Sequence, residues 1–220
     1  MIKLLLVGSS GHAGSVIDLI DKAGGFQIAG LVDSFKTEGT ECHGYPVVGG
    51  LDRIPGLAVA HGVDALVVAI GHNWDRFQVV ERIRAGFPGA RFPALVHPSA
   101  VIGRRTEIGQ GTVVLAGAVI NANTSIGDFC IVNTRASVDH DCELGPFSSV
   151  APGATLGGNV RLGAGSAVCI GATVIQGVTI GRHSILGAGA VLLRHLGDEA
   201  VAYGVPARFI RSRAPDDRYL

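Results

Sequence analysis

Hydrophobic residues between positions 101 and 196 recur with a period of six. Cut into sixes from Val101 (VIGRRT, EIGQGT, VVLAGA, VINANT and so on to VLLRHL), the segment carries Ile, Val or Leu at the second position of all sixteen units. Two residues ahead of each of these, from Ala100 through Thr106, Thr112, Ala118, Thr124 and Cys130 to Ala190, stands Ala, Ser, Thr, Cys or Val. Side chains alternate faces along a strand, so residues two apart share a face: each unit supplies one large and one small inward residue, then a glycine-rich corner. Three such sides close a coil of eighteen residues, and coils stack at the inter-strand spacing of roughly 4.8 Å. The pattern predicts a parallel β-helix. A period of six does not match the 3.6 of an α-helix, and glycine and β-branched residues at this density penalise one.

The first hundred residues follow another rhythm. KLLLVG, then GHAGSVIDLIDKAGG, then FQIAGLVD read as strand, tight glycine turn with helix, and a second strand ending at Asp33. DALVVAIGH, the helical NWDRFQVVERIRAGF and ARFPALVH extend a parallel sheet to about residue 97, with Pro98 at the junction. The expected organisation is α/β plus β: a Rossmann-like parallel-sheet domain over residues 1–97, a β-helix over 98–200, and a C-terminal cap and tail over 201–220.

Composition narrows the function classes. The 220 residues are 47% hydrophobic, enough for a sizeable core, and 18 basic residues balance 18 acidic ones, so the overall charge does not favour nucleic acid or an anionic membrane. Apolar runs are broken by glycine well short of a membrane span, and MIKLLLVGSSGH reaches glycine too soon for a signal peptide; a cytoplasmic protein is expected. Cys42, Cys130, Cys142 and Cys169 lack CxxC spacing, which argues against a zinc or redox pair. Cys130 and Cys142 fall on small inward positions as core filler.

Candidate chemistry lies in two places. In the turn Gly8-Ser9-Ser10-Gly11-His12-Ala13-Gly14, Ser10 replaces the middle glycine of the dinucleotide fingerprint, and about 95 residues supply little more than half of a dinucleotide fold. Gly8, Ser10, Gly11 and Asp33 therefore point to a mononucleotide or nucleotide-sugar, unless the glycines only let helix and strand pack closely. His12 and His72, with Asn73 beside it, lie at strand carboxyl ends, where ligands of open α/β sheets bind and where a polar surface is the alternative. In the β-helix, His140 falls on a corner two residues after inward Val138 and so faces out. Asp139 and Asp141 flank it, and a carboxylate can orient an imidazole acting as general base. Eighteen residues on stands Gly158, whose amide is then expected one coil above the imidazole, where it can polarise an acyl carbonyl. Gln176 and Arg194 continue this column, along which an extended acyl carrier can lie, and Arg194 and Arg208 are candidates for phosphates.

The unbroken hexapeptide pattern resembles the β-helix of the hexapeptide-repeat acyltransferases, which implies left-handed coiling. Together with the glycine-turn unit, HPSAVIG at the junction, NTRASVDHDCELG, APGATLGGNV and the closing GVPAR, the chain resembles the bacterial nucleotide-sugar N-acetyltransferases. These include bacillosamine and perosamine N-acetyltransferases, with sialic acid O-acetyltransferases in the wider group. The resemblance implies a homotrimer using acetyl-CoA and no metal, with active sites between adjacent β-helices and the nucleotide-linked aminosugar held mainly by the N-terminal domain. It further implies that His140 is the base, Asp141 its partner, Gly158 the oxyanion amide and Asn133 a residue near the sugar, and that Pro206 ends strand stacking. Many relatives carry lysine or arginine where Gly14 stands, and bacillosamine enzymes carry a second histidine where this chain has Ser149. The latter leans toward a GDP-linked 4-amino-4,6-dideoxysugar such as GDP-perosamine, with a UDP-linked bacillosamine precursor and O-acetylation as alternatives. Other readings are a zinc site using His140, His183 and His195, as in the carbonic anhydrase built on the same helix, and a nucleotide-sugar sensor on a passive scaffold.

Overall fold

The computed structural model describes residues 1–218 of the protein; Tyr219 and Leu220 of the expected tail lie outside the described residues. The N-terminal unit runs β1 (Ile2–Val7), α1 (Gly11–Ala23), β2 (Phe26–Val32), β3 (Glu41–Cys42), β4 (Tyr45–Gly49), α2 (Ile54–His61), β5 (Ala65–Val68) and α3 (Asn73–Gly86). β1 lies between β2 and β5, parallel to both. Its residues Leu4 to Val7 are buried on both faces, which is why this strand reads as a continuous apolar run and not as an alternation. The sheet departs from the all-parallel expectation at one edge, where β3 pairs antiparallel with β4 in a short hairpin.

Sixteen two-residue strands, from Val101–Ile102 to Val191–Leu192, form the β-helix. Each of the first thirteen pairs in parallel with the strand eighteen residues on, as Val119 does with Val101 below and Ser137 above. Three sheets form the sides of a left-handed prism. Ile, Val and Leu from the second positions and the small residues two before them fill its interior in a single core. Small hydroxyls inside satisfy the corners: Thr124 Oγ1 donates to Asp139 O at 2.9 Å and Ser166 Oγ to Gly181 O at 2.6 Å. The buried thiols of Cys130 and Cys142 point at Gly145 O and Gly157 O, both at 3.2 Å.

The ends differ from expectation. Leu95–Val96, predicted in the N-terminal sheet, instead pairs with Val113–Val114 as the first rung of the β-helix. At the other end the last turn is shortened, so Ile185 pairs with Val201, sixteen residues on. The hairpin Ala200–Gly204 and Ala207–Ser212 then closes the stack. The outer antiparallel strand caps the ladder, whereas Pro206, expected to do so, sits in the hairpin turn.

Arg76 of α3, 1% exposed, joins the two units. Its Nε donates to Phe129 O (2.8 Å) and its Nη2 to Phe147 O (3.1 Å) on adjacent coils, while Nη1 reaches Ile70 O and Gly71 O, both at 2.9 Å. Asn73 adds bonds to Gly165 O (3.3 Å) and Ser166 O (3.1 Å) and accepts from Arg76 at 2.7 Å. Arg76→Ala strands these buried carbonyls and is expected to cost about 3 kcal/mol or more, seen as a clear drop in the thermal unfolding midpoint.

Candidate active site

The corner bearing His140 is built by the 18-residue repeat. Arg105, Asn123, Asp141, Asn159 and Gly177 occupy one position of successive coils, all with φ between 56° and 75°. Asn, Asp and Gly adopt this left-handed conformation most readily, so the acid beside His140 also serves the bend. Asp141 Oδ2 lies 2.7 Å from His140 Nδ1. A carboxylate accepts, so Nδ1 carries the proton and Nε2 is left as the basic nitrogen. Asp139 Oδ1 accepts from the His140 backbone N–H at 2.8 Å. From the coil below, Asn121 Nδ2 donates to Asp139 at 2.7 Å and Asn123 Nδ2 to Asp141 at 3.2 Å. These two asparagines were missed in the sequence, although counting back eighteen from each aspartate reaches them.

Gly158 lies directly against the imidazole. A methyl group on Gly158 would come within 2.6 Å of His140 Cε1 and 2.7 Å of Nε2. The coil is held in register here by Asn159 N–H to His140 O and Gly177 N–H to Gly158 O, both 2.9 Å. Among the described residues the Gly158 N–H has no protein acceptor. A basic nitrogen and a free amide donor thus adjoin on successive coils, an arrangement suited to taking a proton from a nucleophile while polarising an acyl oxygen.

The hydrogen bond that His140 donates to Asp141, joined by the charge of Asp139, raises the His140 pKa above that of a free imidazole. The bond to His140, and then that from Asn123, lowers the Asp141 pKa, so the acid stays ionised. A base works when deprotonated, so the acidic limb of kcat/KM is expected at a higher pH than a free imidazole would give. Asp141→Asn, which keeps the left-handed bend, removes the main raising cause: the limb shifts to lower pH and the plateau falls about tenfold or more, as pH–rate profiles of the two proteins will show.

The N-terminal candidates divide between two cavities. Gly8, Ser10 and Asp33 line a cleft of about 440 Å³ at the carboxyl ends of β1 and β2, with Ile70, Asp75, Gln78, Arg82 and Arg218. Gly8 has φ 104°, and a Cβ there would lie 3.0 Å from Ala69 O, so the turn requires glycine. Asp33 accepts from Ser9 Oγ at 2.5 Å and from Phe35 N–H at 2.8 Å. Gly11 opens α1 beside this cleft. His12 instead lines a second cavity, of about 600 Å³, with Asn133, Ser149, Cys169, Tyr203 and Arg211. Burial, then the Arg76 charge, lowers the His12 pKa to about 4, so its ring is neutral at pH 7. Burial raises the Cys169 thiol to about 11, which keeps it protonated.

His72 and Asn73 are placed differently from the expectation: both are buried, His72 capping α3 through Nδ1 to Asp75 N at 3.4 Å and Asn73 spanning the junction described above. Gln176 and Arg194 follow Gly158 up the exposed corner, Gln176 with its backbone beside Gly157. Arg208 is exposed on the outer hairpin strand opposite Tyr203. Among the described residues no group of three His, Cys, Asp or Glu side chains is placed to hold a metal, and no helix is long and apolar enough to cross a membrane.

A β-helix of hexapeptide repeats with a histidine–aspartate pair at a glycine amide defines a hexapeptide-repeat acyltransferase. Known proteins place it further. The family described as PglD N-terminal domain matches residues 3–83. A mutant GDP-perosamine N-acetyltransferase from Caulobacter crescentus, with alanine replacing a histidine and in complex with CoA and GDP-perosamine, is 38% identical, covers 96% of this chain and 97% of that one, and superposes with a TM-score of 0.89. The acetyltransferase domain of PglB from Neisseria gonorrhoeae, in complex with acetyl coenzyme A, is 37% identical over 94% of this chain and 98% of that chain, with a TM-score of 0.87. UDP-N-acetylbacillosamine N-acetyltransferase of Bacillus subtilis is 37% identical over 122 residues; the matched segment spans about half of the relative, 52%, and 53% of this chain. The chain belongs to the bacterial nucleotide-sugar N-acetyltransferase family.

Proposed function

We propose that the protein transfers the acetyl group of acetyl-CoA to the 4-amino group of a nucleotide-linked 4-amino-4,6-dideoxysugar, GDP-perosamine being the favoured acceptor, in the cytoplasm. The observation that carries this is the contact of His140 with Gly158 on successive coils. His140 Nε2 takes the proton of the amine as its nitrogen attacks the thioester carbon. The Gly158 N–H stabilises the oxyanion, and the C–S bond breaks as the CoA thiolate leaves and recovers that proton. Gln176, Arg194 and Arg208 hold the coenzyme along the same corner. The N-terminal unit holds the nucleotide through Gly8, Ser10, Gly11 and Asp33.

The cavity with His12 and Asn133 lies on another side of the prism from His140, which is absent from its lining. This supports a homotrimer, in which His140 of one chain faces that cavity in the next. Similarity to the Caulobacter enzyme supports a nucleotide-linked aminosugar, and Ser149, where bacillosamine enzymes carry histidine, favours the GDP-linked one over a UDP-linked bacillosamine precursor. Thiol release from acetyl-CoA with a panel of UDP-, GDP- and dTDP-linked aminosugars tests the reading. Turnover is expected with GDP-perosamine; release with none of the panel sinks it.

A further inference from the structure

The C-terminal tail returns to the N-terminal unit. After the closing hairpin, Arg213, 5% exposed, donates through its backbone N–H to Glu199 O (2.8 Å) and through Nη1 to His183 O (2.6 Å). Its Nη2 binds Pro215 O (3.1 Å) and Asp217 O (2.6 Å), folding residues 213–217 around a buried guanidinium. Asp217 is tied back to Arg211 at 2.9 Å and its N–H to Ala214 O at 3.1 Å. The tail is therefore set by a buried cation and carries Arg218 to a defined place. That place is the 440 Å³ cleft: Arg218 lines it together with Gly8, Ser10 and Asp33, and its Nη2 lies 3.3 Å from Asp75 Oδ2 on α3.

The cleft is lined by apolar Val7, Val32, Ile70 and Val79 and by polar Asp33, Asp75, Gln78, Arg82 and Arg218. Apolar side chains suit the faces of a nucleobase, and the polar ones supply acceptors and donors for its edge. We propose that Arg218, delivered by the anchored tail, is a specificity-determining residue of the nucleotide site and donates to the base edge of a guanine nucleotide. An arginine fork matches the adjacent O6 and N7 acceptors of guanine, whereas uracil offers a single oxygen on the corresponding edge. The carboxylate of Asp75 holds the fork in the cleft before the base enters. This rests on the nucleotide-sugar reading above.

Calorimetric titration of the full chain with GDP, UDP and acetyl-CoA separates the two. The native protein is expected to bind GDP more tightly than UDP. Arg218→Ala is expected to weaken GDP by about tenfold, corresponding to loss of one charge-assisted bond pair, and to bring it near UDP, while acetyl-CoA affinity is kept. Arg218→Lys, which keeps the charge but loses the fork, is expected to lose the preference for GDP as well. Unchanged GDP affinity in Arg218→Ala overturns this proposal and leaves the nucleotide-sugar reading standing. Binding of neither nucleotide by the native protein overturns both.

Discussion

Replacing His140 with alanine is expected to lower turnover by about 10² to 10⁴, the range for loss of a positioned general base, while GDP and acetyl-CoA still bind. The ring is held by Asp141 at 2.7 Å and its backbone by Asp139 at 2.8 Å, so its geometry is prepared before any substrate arrives. Because its side chain is about half exposed and contributes nothing to the prism core, the thermal midpoint of the variant is expected to stay near that of the native protein. Steady-state kinetics beside thermal unfolding checks both halves of this statement.

Gly158→Ala has an expected effect of similar size by another route. Gly158 has no left-handed φ, so alanine is conformationally permitted there, and the coil survives. The added methyl would lie 2.6 to 2.7 Å from the His140 ring, which must swing away. The change thus displaces the base and crowds the amide donor at once, and turnover is expected to fall by about 10² to 10³. A control separates this from general disruption: Gly153→Ala, at a corner where a Cβ meets nothing within 4 Å but φ is 66°, is expected to cost stability and not the chemistry. Unfolding midpoints and turnover measured on both variants distinguish them.

The β-helix was legible because inward residues must recur at fixed intervals for coils to stack, so its pattern survives in any stretch of sixes. His140 and Gly158 were legible for the same reason: a separation equal to one coil is a statement about vertical neighbours. Local apolar content says less where several partners fit. Leu95–Val96 is an apolar pair that suits either sheet, and pairing with Val113–Val114 decided it. The hairpin of β3 and β4 is too short, with a two-residue first strand, to show alternation. Buried His72 and Asn73 follow from packing of α3 onto the prism, which no spacing encodes. The same holds for the meeting of His12 with Asn133 in one cavity and for the return of Arg218 to the glycine turn.

The most direct test is the rate of thiol release from acetyl-CoA with GDP-perosamine, with the sugar product analysed for acetyl on nitrogen, for the native protein and for His140→Ala side by side. We expect stoichiometric thiol and N-acetylated sugar from the native protein and a rate lower by at least about 10² from the variant. Equal rates in the two proteins, or no N-acetylated sugar from the native one, would contradict the account.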